Sequence, residues 1–319
     1  MIELTVSEDS AGQRLDKFVR KALPGVPTSH LYKMIRTKKI RVNGMRAELG
    51  QPLQKGDKVA VRGDEESLRT SPPERPPVSN RIDFRVLYED DHVIAADKPE
   101  GLAVHPGTGI QGPTLVDQVR AYLGPRAERR DFAASPAHRL DRDTSGVILV
   151  AKTRRAMVRL TEIFTAGDAR KRYLALVKGK VGKREGVIEI PLSEHQQTTQ
   201  SRSRRGVNMQ PARTRYRVIA SGPLATLVEC EIETGRTHQI RRHFAAIGHP
   251  IVGDRRYGDF PFNREARAQW GLDRLFLHAE RIQLAHPIHG GNLRAASPLP
   301  LPLLAALKKA GISSFESQS

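Results

Sequence analysis

From Gly63 to Asp83 the chain carries Pro72, Pro73, Pro76 and Pro77 and almost nothing apolar. Such a stretch cannot bury enough surface to offset the entropy of ordering it, and its prolines hold it extended. The 319 residues therefore divide into a module at 1–63, a semi-rigid linker at 64–83 and a larger body at 84–319. A chain of this length has room for one sizeable domain and one small one.

Lysine and arginine total 53 against 35 aspartates and glutamates, a formal charge of +18. An excess of that size attracts polyanions, and nucleic acid is the commonest of them. A membrane surface is the rival. No apolar run approaches the roughly 20 residues of a span, and Met1-Ile2-Glu3-Leu4 lacks the basic start and apolar core of a signal peptide. A cytosolic protein with no membrane partner is expected. The single cysteine, Cys230, excludes an internal disulfide and any zinc site built on several thiolates. It lies in the strand-like run Leu227–Ile232 and reads as a packing residue. With aromatics at 5%, a continuous base-stacking platform is not expected, so positive charge must supply the affinity.

In the first module Leu15, Phe18, Val19 and Ala22 recur at a helical period. Pro27-Thr28-Ser29 then offers capping hydroxyls before Leu31, Met34 and Ile35, again on one face. Lys33, Arg36, Lys38, Lys39 and Arg41 fall on the remaining surface. Ile40-Arg41-Val42 meets Asn43-Gly44, the strongest short hairpin signal, and Lys55-Gly56-Asp57-Lys58 turns into Val59-Ala60-Val61. Through Ser29–Arg36 and Ile40–Gly44 this module resembles the S4 RNA-binding domain. The resemblance implies that its five cations contact RNA; the plainer alternative is a solvated basic helix.

Beyond the linker, Phe84–Tyr88 and Val93–Asp97 read as strands around the turn Glu89-Asp90-Asp91. Thr114–Leu123 reads as a helix with Leu115, Val119 and Tyr122 or Leu123 inward. Met157, Leu160, Ile163 and Phe164 mark another, ended by Gly167. Strands follow at Tyr173–Val177, Thr214–Ala220 and Ala225–Glu233. Hairpin-like spacings without a repeated βαβ rhythm favour an α+β fold over a doubly wound sheet.

His138-Arg139-Leu140-Asp141-Arg142-Asp143-Thr144-Ser145-Gly146 is the segment richest in chemistry. It puts Asp141 between two guanidinium groups at a polar turn that feeds the apolar run Val147–Val150. Arginine neighbours favour an ionised carboxylate. An ordinary Asp/Thr/Ser turn before a strand accounts for the same residues, and spacing alone does not separate Asp141 from Asp143. His238 and His243 lack the glutamate of HExxH, so packing or hydrogen bonding is expected of both, as of His105 and His138. Ser145 lacks the first glycine of GxSxG, so a serine-hydrolase reading is weak. The chain carries no P-loop, GxGxxG fingerprint or Cys/His ligand set.

Four segments of the larger body together resemble one family: Lys98–Gly107, His138–Lys152, Lys171–Val177, and Thr234–His243 continued by Gly248–Asp254. The chain is similar to RNA pseudouridine synthases of the RluA type from about residue 84 to about 299, and the joint match makes the likeness specific. Asn263–Trp270 and Arg274–Ala279, with the S4-like module, narrow it toward members that act on large-subunit ribosomal RNA. The resemblance implies an S4-like module joined to a mixed, largely antiparallel-sheet catalytic core. It implies isomerisation of uridines to pseudouridine in 23S ribosomal RNA or a large-subunit assembly intermediate, with no cofactor or metal needed, which agrees with the absence of a P-loop, GxGxxG fingerprint and Cys/His ligand set. The enzyme is expected to be a monomer acting on RNA and not on DNA.

Residue by residue, the family's essential carboxylate falls on Asp141. Its basic partner falls on Arg241, which would orient the carboxylate. The tyrosine that stacks on the uracil falls on Tyr173. Ile240 would wall the same pocket, and Arg139 would enter the RNA stack as the target base leaves it. Arg236 and Arg242 are phosphate candidates, and His138 is carried as a substrate-binding candidate beside its packing role. Arg202, Arg204 and Arg205, in a polar stretch from Ser193 to Pro211, read as an RNA clamp. Family members differ in target, so tRNA or several RNAs are the alternative substrates. A non-catalytic ribosome-assembly protein is the alternative of another class, and intact Asp141, Tyr173 and Arg241 argue against it.

Overall fold

Asn43 and Gly44 both adopt positive φ, 50° and 77°, as a two-residue hairpin turn requires and as this residue pair tolerates. The turn sets Val42 opposite Met45 and so fixes the register of a small sheet. The computed structural model describes residues 1–23, 26, 28–63, 82–107, 110, 112–124, 128–129, 132–193 and 209–312. The linker prolines, Pro27 with the side chain of Thr28, and Arg202, Arg204 and Arg205 lie outside the described residues.

The module contains Ile2–Thr5 (β1), Leu15–Ala22 (α1), Thr28–Arg36 (α2), Ile40–Val42 (β2), Met45–Arg46 (β3) and Lys58–Val61 (β4). Its sheet runs β1-β4-β2-β3, antiparallel throughout. Leu15, Phe18, Val19, Leu31, Met34 and Ile35 meet Ile40, Val42, Val59 and Val61 in one core. Ala22 is exposed, contrary to the periodicity, because Leu23 takes the inward position at the end of α1. Lys33, Arg36, Lys38 and Lys39 all face solvent, while Arg41 is half-buried.

The remaining elements are Arg85–Glu89 (β5), Val93–Lys98 (β6), Leu115–Leu123 (α3), Glu128–Arg129 (β7), Phe132–Ala133 (β8), Ser135–Pro136 (β9), Ser145–Ala151 (β10), Arg154–Ala166 (α4) and Arg170–Lys178 (β11). There follow Glu185–Ile188 (β12), Leu192–Ser193 (β13), Met209–Gln210 (β14), Thr214–Ser221 (β15), Ala225–Ile232 (β16), Gln239–Ala246 (α5), Phe260–Trp270 (α6), Leu277–Ala285 (β17), Asn292–Ala296 (β18) and Leu301–Lys309 (α7). The main sheet runs β12-β15-β16-β11-β17-β10-β6-β5, with β18 on β17 and β9 on β10. Hairpins β5–β6, β15–β16 and β17–β18 are antiparallel, and β10 runs parallel to β17. The fold is therefore α+β with a mixed, mainly antiparallel sheet, as the spacings predict. Met1–Ile82, Val116–Ser135 and Ala151–Val158 form one compact unit, and Asp83–Leu115, Pro136–Val150 and Arg159–Ser319 the other. No described helix is long and apolar enough to cross a membrane.

All seven residues of β10 are buried, which explains its unbroken apolar run. Gly146 has φ +113°, and a Cβ there would lie 2.2 Å from the carbonyl oxygen of Ala279. Only glycine lets β10 and β17 approach so closely. Ala279 pairs with Gly146 on one side and with Tyr173 on the other. One row across three strands thus carries Tyr173 toward the turn that precedes β10. In α3, Leu123 is the inward residue; Tyr122 is 37% exposed.

Candidate active site

Asp141 lies where the chain enters β10. Its carbonyl accepts from Thr144 N at 3.2 Å, closing a turn over Asp141–Thr144. Fully buried Lys98 donates to Arg142 O at 2.9 Å, Leu102 O at 2.9 Å and Pro99 O at 2.8 Å. Burial pushes Lys98 down to about 7, against the pull of Asp143 and Asp141. Three carbonyl acceptors on one nitrogen favour the ammonium form, and that ammonium ties the first motif to the turn at Asp141.

The arginines beside Asp141 in the chain are not its partners. Arg142 Nε donates to Asp143 Oδ1 at 3.1 Å, and Arg139 is exposed. The counter-charge is Arg241, whose Nη1 donates to Asp141 Oδ2 at 3.1 Å. Arg241 in turn grips Asp254 with two parallel bonds, Nε to Oδ2 at 2.7 Å and Nη2 to Oδ1 at 2.9 Å. The Asp254 side chain is 1% exposed and also accepts from Arg256 N at 2.8 Å and Tyr257 N at 3.0 Å. Burial opposes both charges, but the bonds between them prevail: Asp254 is held below the ordinary carboxylate range and Arg241 above its usual value, with Asp141 adding to the latter. A buried bidentate pair of this kind fixes the guanidinium in one orientation, leaving one N–H edge aimed at Asp141.

The loop before α5 is held as firmly. Gln239 is buried and uses its whole amide: Oε1 accepts from Thr234 Oγ1 at 2.6 Å and Arg236 N at 3.1 Å, and Nε2 donates to Arg213 O at 2.9 Å and Thr214 Oγ1 at 3.0 Å. That network docks α5 on β15 and places Ile240 and Arg241, 4% and 6% exposed, toward Asp141. Tyr173, Ile240, Arg241, Arg236 and Arg139 share one pocket with Asp141. Burial, and then the negative charge of Asp141, pushes the Tyr173 phenol up.

Of the packing or hydrogen-bonding roles expected of His238, the structure shows hydrogen bonding, and it sets the ring beside Asp141. His238 adopts a left-handed φ of 54° at the start of α5, its Nδ1 is 3.1 Å from Tyr257 Oη, and its Nε2 is 3.8 Å from Asp141 Oδ1. Burial lowers its pKa, opposed by Asp141, so it faces the carboxylate as a neutral ring at neutral pH. The available signal was its place one residue before a motif helix. The same motif's last histidine, His243, is buried and bonds Thr214 Oγ1 at 2.9 Å and Ile190 O at 3.0 Å.

Other candidates are drawn elsewhere. His138 Nε2 accepts from Leu149 N at 3.1 Å, and burial pushes it down to about 3, with Lys171 adding to the shift. It lines an adjoining cavity with Phe164, outside the Asp141 pocket. Arg236 borders both spaces and donates to Pro211 O at 3.2 Å. Arg242 is bound to Ser193 O and Oγ, both at 3.1 Å. Ser145 Oγ accepts from Arg274 Nη2 at 2.8 Å and lies 2.9 Å from His278 Nδ1, buried and engaged. Cys230 is buried, and burial raises its thiol pKa. Among the described residues, Asp90, His286 and His289 form the metal-type cluster. Both ring nitrogens of His286 are already used, Nε2 on Asp90 at 2.7 Å and Nδ1 on His289 N at 3.0 Å.

A family model for RNA pseudouridylate synthases matches residues 92–246, and one for the S4 domain matches residues 13–59. Ribosomal large subunit pseudouridine synthase C of Escherichia coli (strain K12) is 40% identical over 311 residues, 96% of this chain and 95% of that protein. Its counterpart in Vibrio cholerae serotype O1 is 38% identical over 310 residues, 96% of each. Among solved structures, human RNA pseudouridylate synthase domain containing 4 is similar with a TM-score of 0.58 at 27% identity, over 71% of this chain and 92% of that one. Human RNA pseudouridylate synthase domain containing 1 gives 0.57 at 27% identity, over 73% and 90%. Asp141, Tyr173 and Arg241 all fall within the first family match. With relatives this similar along nearly its whole length, the chain belongs to the RNA pseudouridylate synthase family, as a pseudouridine synthase that carries an S4 domain ahead of its catalytic part.

Proposed function

We propose that this enzyme converts specific uridines of 23S ribosomal RNA to pseudouridine, on free RNA or a large-subunit assembly intermediate, with Asp141 as the carboxylate that acts at the glycosidic bond. The N1–C1′ bond breaks, the uracil turns within the pocket, and C5 bonds to C1′. C5 gives up its proton and N1 ends protonated, so the composition is unchanged. Addition to the ring, attack on the sugar and removal of a sugar proton all require an ionised, oriented carboxylate in a pocket that excludes most water.

One observation carries this reading: Arg241, locked by Asp254, offers its remaining edge to Asp141. Tyr173 would stack on the uracil, and Ile240 would close the apolar wall. Arg139, exposed at the pocket rim, would enter the RNA stack as the uridine leaves it. Arg236 would meet a phosphate, and His138 would border the neighbouring nucleotide. The ribosomal target rests on what the relatives are named for. In this reading residues 1–63 are the RNA-binding domain and 84–319 the catalytic domain. Lys33, Arg36, Lys38, Lys39 and Arg41 would track phosphates, and Arg202, Arg204 and Arg205 would clamp the bound RNA.

Pseudouridine mapping in cells with and without the protein tests the proposal. Loss of discrete pseudouridines from 23S ribosomal RNA is expected. Loss from tRNA alone would redirect the enzyme to another substrate.

A further inference from the structure

Beside the Asp141 pocket lies a larger cavity of about 420 Å³. The two spaces share Arg139, Tyr173, Ile232, Gly235 and Arg236, so a chain seated in one continues into the other. Phe164, Tyr173 and Ile232 give the larger space apolar lining, and Lys171, Arg139 and Arg236 bring cations to it. Its one carboxylate, Glu233, is already neutralised by Arg215 Nε at 2.7 Å and Arg213 Nη1 at 3.2 Å.

Lys171 is the informative residue. Its ammonium lies 5.6 Å from the centre of the Phe164 ring, and among the described residues no carboxylate pairs with it. The ring's outer contact is His138, 4.9 Å between centroids, and that imidazole is spent on Leu149 N. Burial lowers the Lys171 pKa with no opposing charge. A partly desolvated cation without a counter-charge is a standing cost, and an anion entering the cavity removes it.

We propose that this cavity receives the nucleotide flanking the target uridine, its phosphate on Lys171 and Arg236 and its base along the Phe164–Ile232 wall. The proposal rests on the functional reading above and adds a second recognition point to it. Reading one neighbour as well as the target would help the enzyme choose among uridines, because an apolar wall and a fixed phosphate contact constrain base and register together.

The probe is a stem-loop oligonucleotide spanning a uridine that the unaltered enzyme converts. It is made with a neutral methylphosphonate at each linkage near that uridine in turn, and with an abasic nucleotide on either side. The unaltered enzyme should bind about tenfold more weakly when one particular flanking linkage is neutral, as for loss of a charge-assisted contact. Lys171→Gln should lose about as much on unmodified RNA, with a salt slope shallower by about 0.7. On the RNA already neutral at that linkage it should lose nothing further; Lys171→Arg should restore most of the affinity. The abasic change should weaken binding on the same side of the uridine only. Additive losses at every linkage, or equal affinity of the variant and the unaltered enzyme, would overturn the subsite while leaving the functional reading intact. Failure of the unaltered enzyme to convert any uridine in protein-free 23S ribosomal RNA would overturn that reading and the subsite with it.

Discussion

Asp141 takes its counter-charge from Arg241, one hundred residues further along the chain and 3.1 Å away, and not from the arginines on either side of it. Asp254, nearly out of reach of solvent, holds the guanidinium, and the guanidinium holds the carboxylate.

Asp254→Asn should therefore harm turnover although Asp254 does not border the pocket. An amide offers one oxygen where the carboxylate gave two, so Arg241 loses its bidentate anchor. A fall in kcat of about a hundredfold is expected, the scale of a small misplacement of reacting groups. Stability should drop by roughly 3 kcal/mol from breaking a buried pair. Single-turnover rates with RNA binding measured in parallel test this; a variant of normal kcat would mean that Arg241 needs no buttress.

The Tyr173 phenol ionises above its usual value because it is buried and faces a negative charge. It therefore stays protonated through the neutral and moderately alkaline range. Rate–pH profiles of the unaltered enzyme and Tyr173→Phe should have the same shape between about pH 7 and 10, with the variant lower. An alkaline fall seen only in the unaltered enzyme would mean that the phenol titrates in that range.

His138 contributes an acid sensitivity. Its folded-state pKa is pushed down to about 3 from an ordinary 6.5, so below pH 6.5 the unfolded chain takes up a proton that the folded one refuses. Stability is retained above pH 6.5 and is lost progressively as pH falls toward 3. His138→Gln, whose amide oxygen can still accept from Leu149 N, should flatten the fall in Tm between pH 6.5 and 4 by roughly 5 °C. Superimposable Tm–pH curves would contradict this.

The exposed cations of the S4 domain supply a different observable. Replacing Lys33, Arg36, Lys38 and Lys39 together with glutamine should leave Tm unchanged, since all four face solvent. RNA affinity should fall, and the salt slope should become shallower by about 0.7–0.9 for each cation that meets a phosphate. An unchanged slope would mean that this face does not engage the RNA backbone.

How much was legible beforehand divides along physical lines. The Asn43-Gly44 hairpin, the buried strand after Gly146 and the inward faces of α1 and α2 follow from local sterics and periodicity, so they can be read without tertiary information. The meeting of Asp141, Tyr173 and Arg241 has no local signature; the family's motifs indicated it, and strand order with the docking of α5 brings it about. Adjacency in sequence misled at Asp141: Arg142 pairs with Asp143 instead, and Arg139 stands exposed at the pocket rim. Asp254 was visible only as the tail of a motif, since nothing local marks a carboxylate that is to be buried under an arginine. The hydrogen bonding expected of His238 is present, but its place beside Asp141 was not legible, because a left-handed histidine at a helix start cannot be inferred from spacing. Tyr122 and Ala22 turned outward where a neighbour one residue later filled the core better.

The most direct measurement of the central claim is single-turnover pseudouridine formation by Asp141→Asn, with affinity for the same RNA determined alongside. Asparagine preserves size and can still accept a bond from Arg241, but it carries no charge. The account predicts no detectable pseudouridine and an affinity close to that of the unaltered enzyme. Pseudouridine formed at the unaltered rate would contradict it.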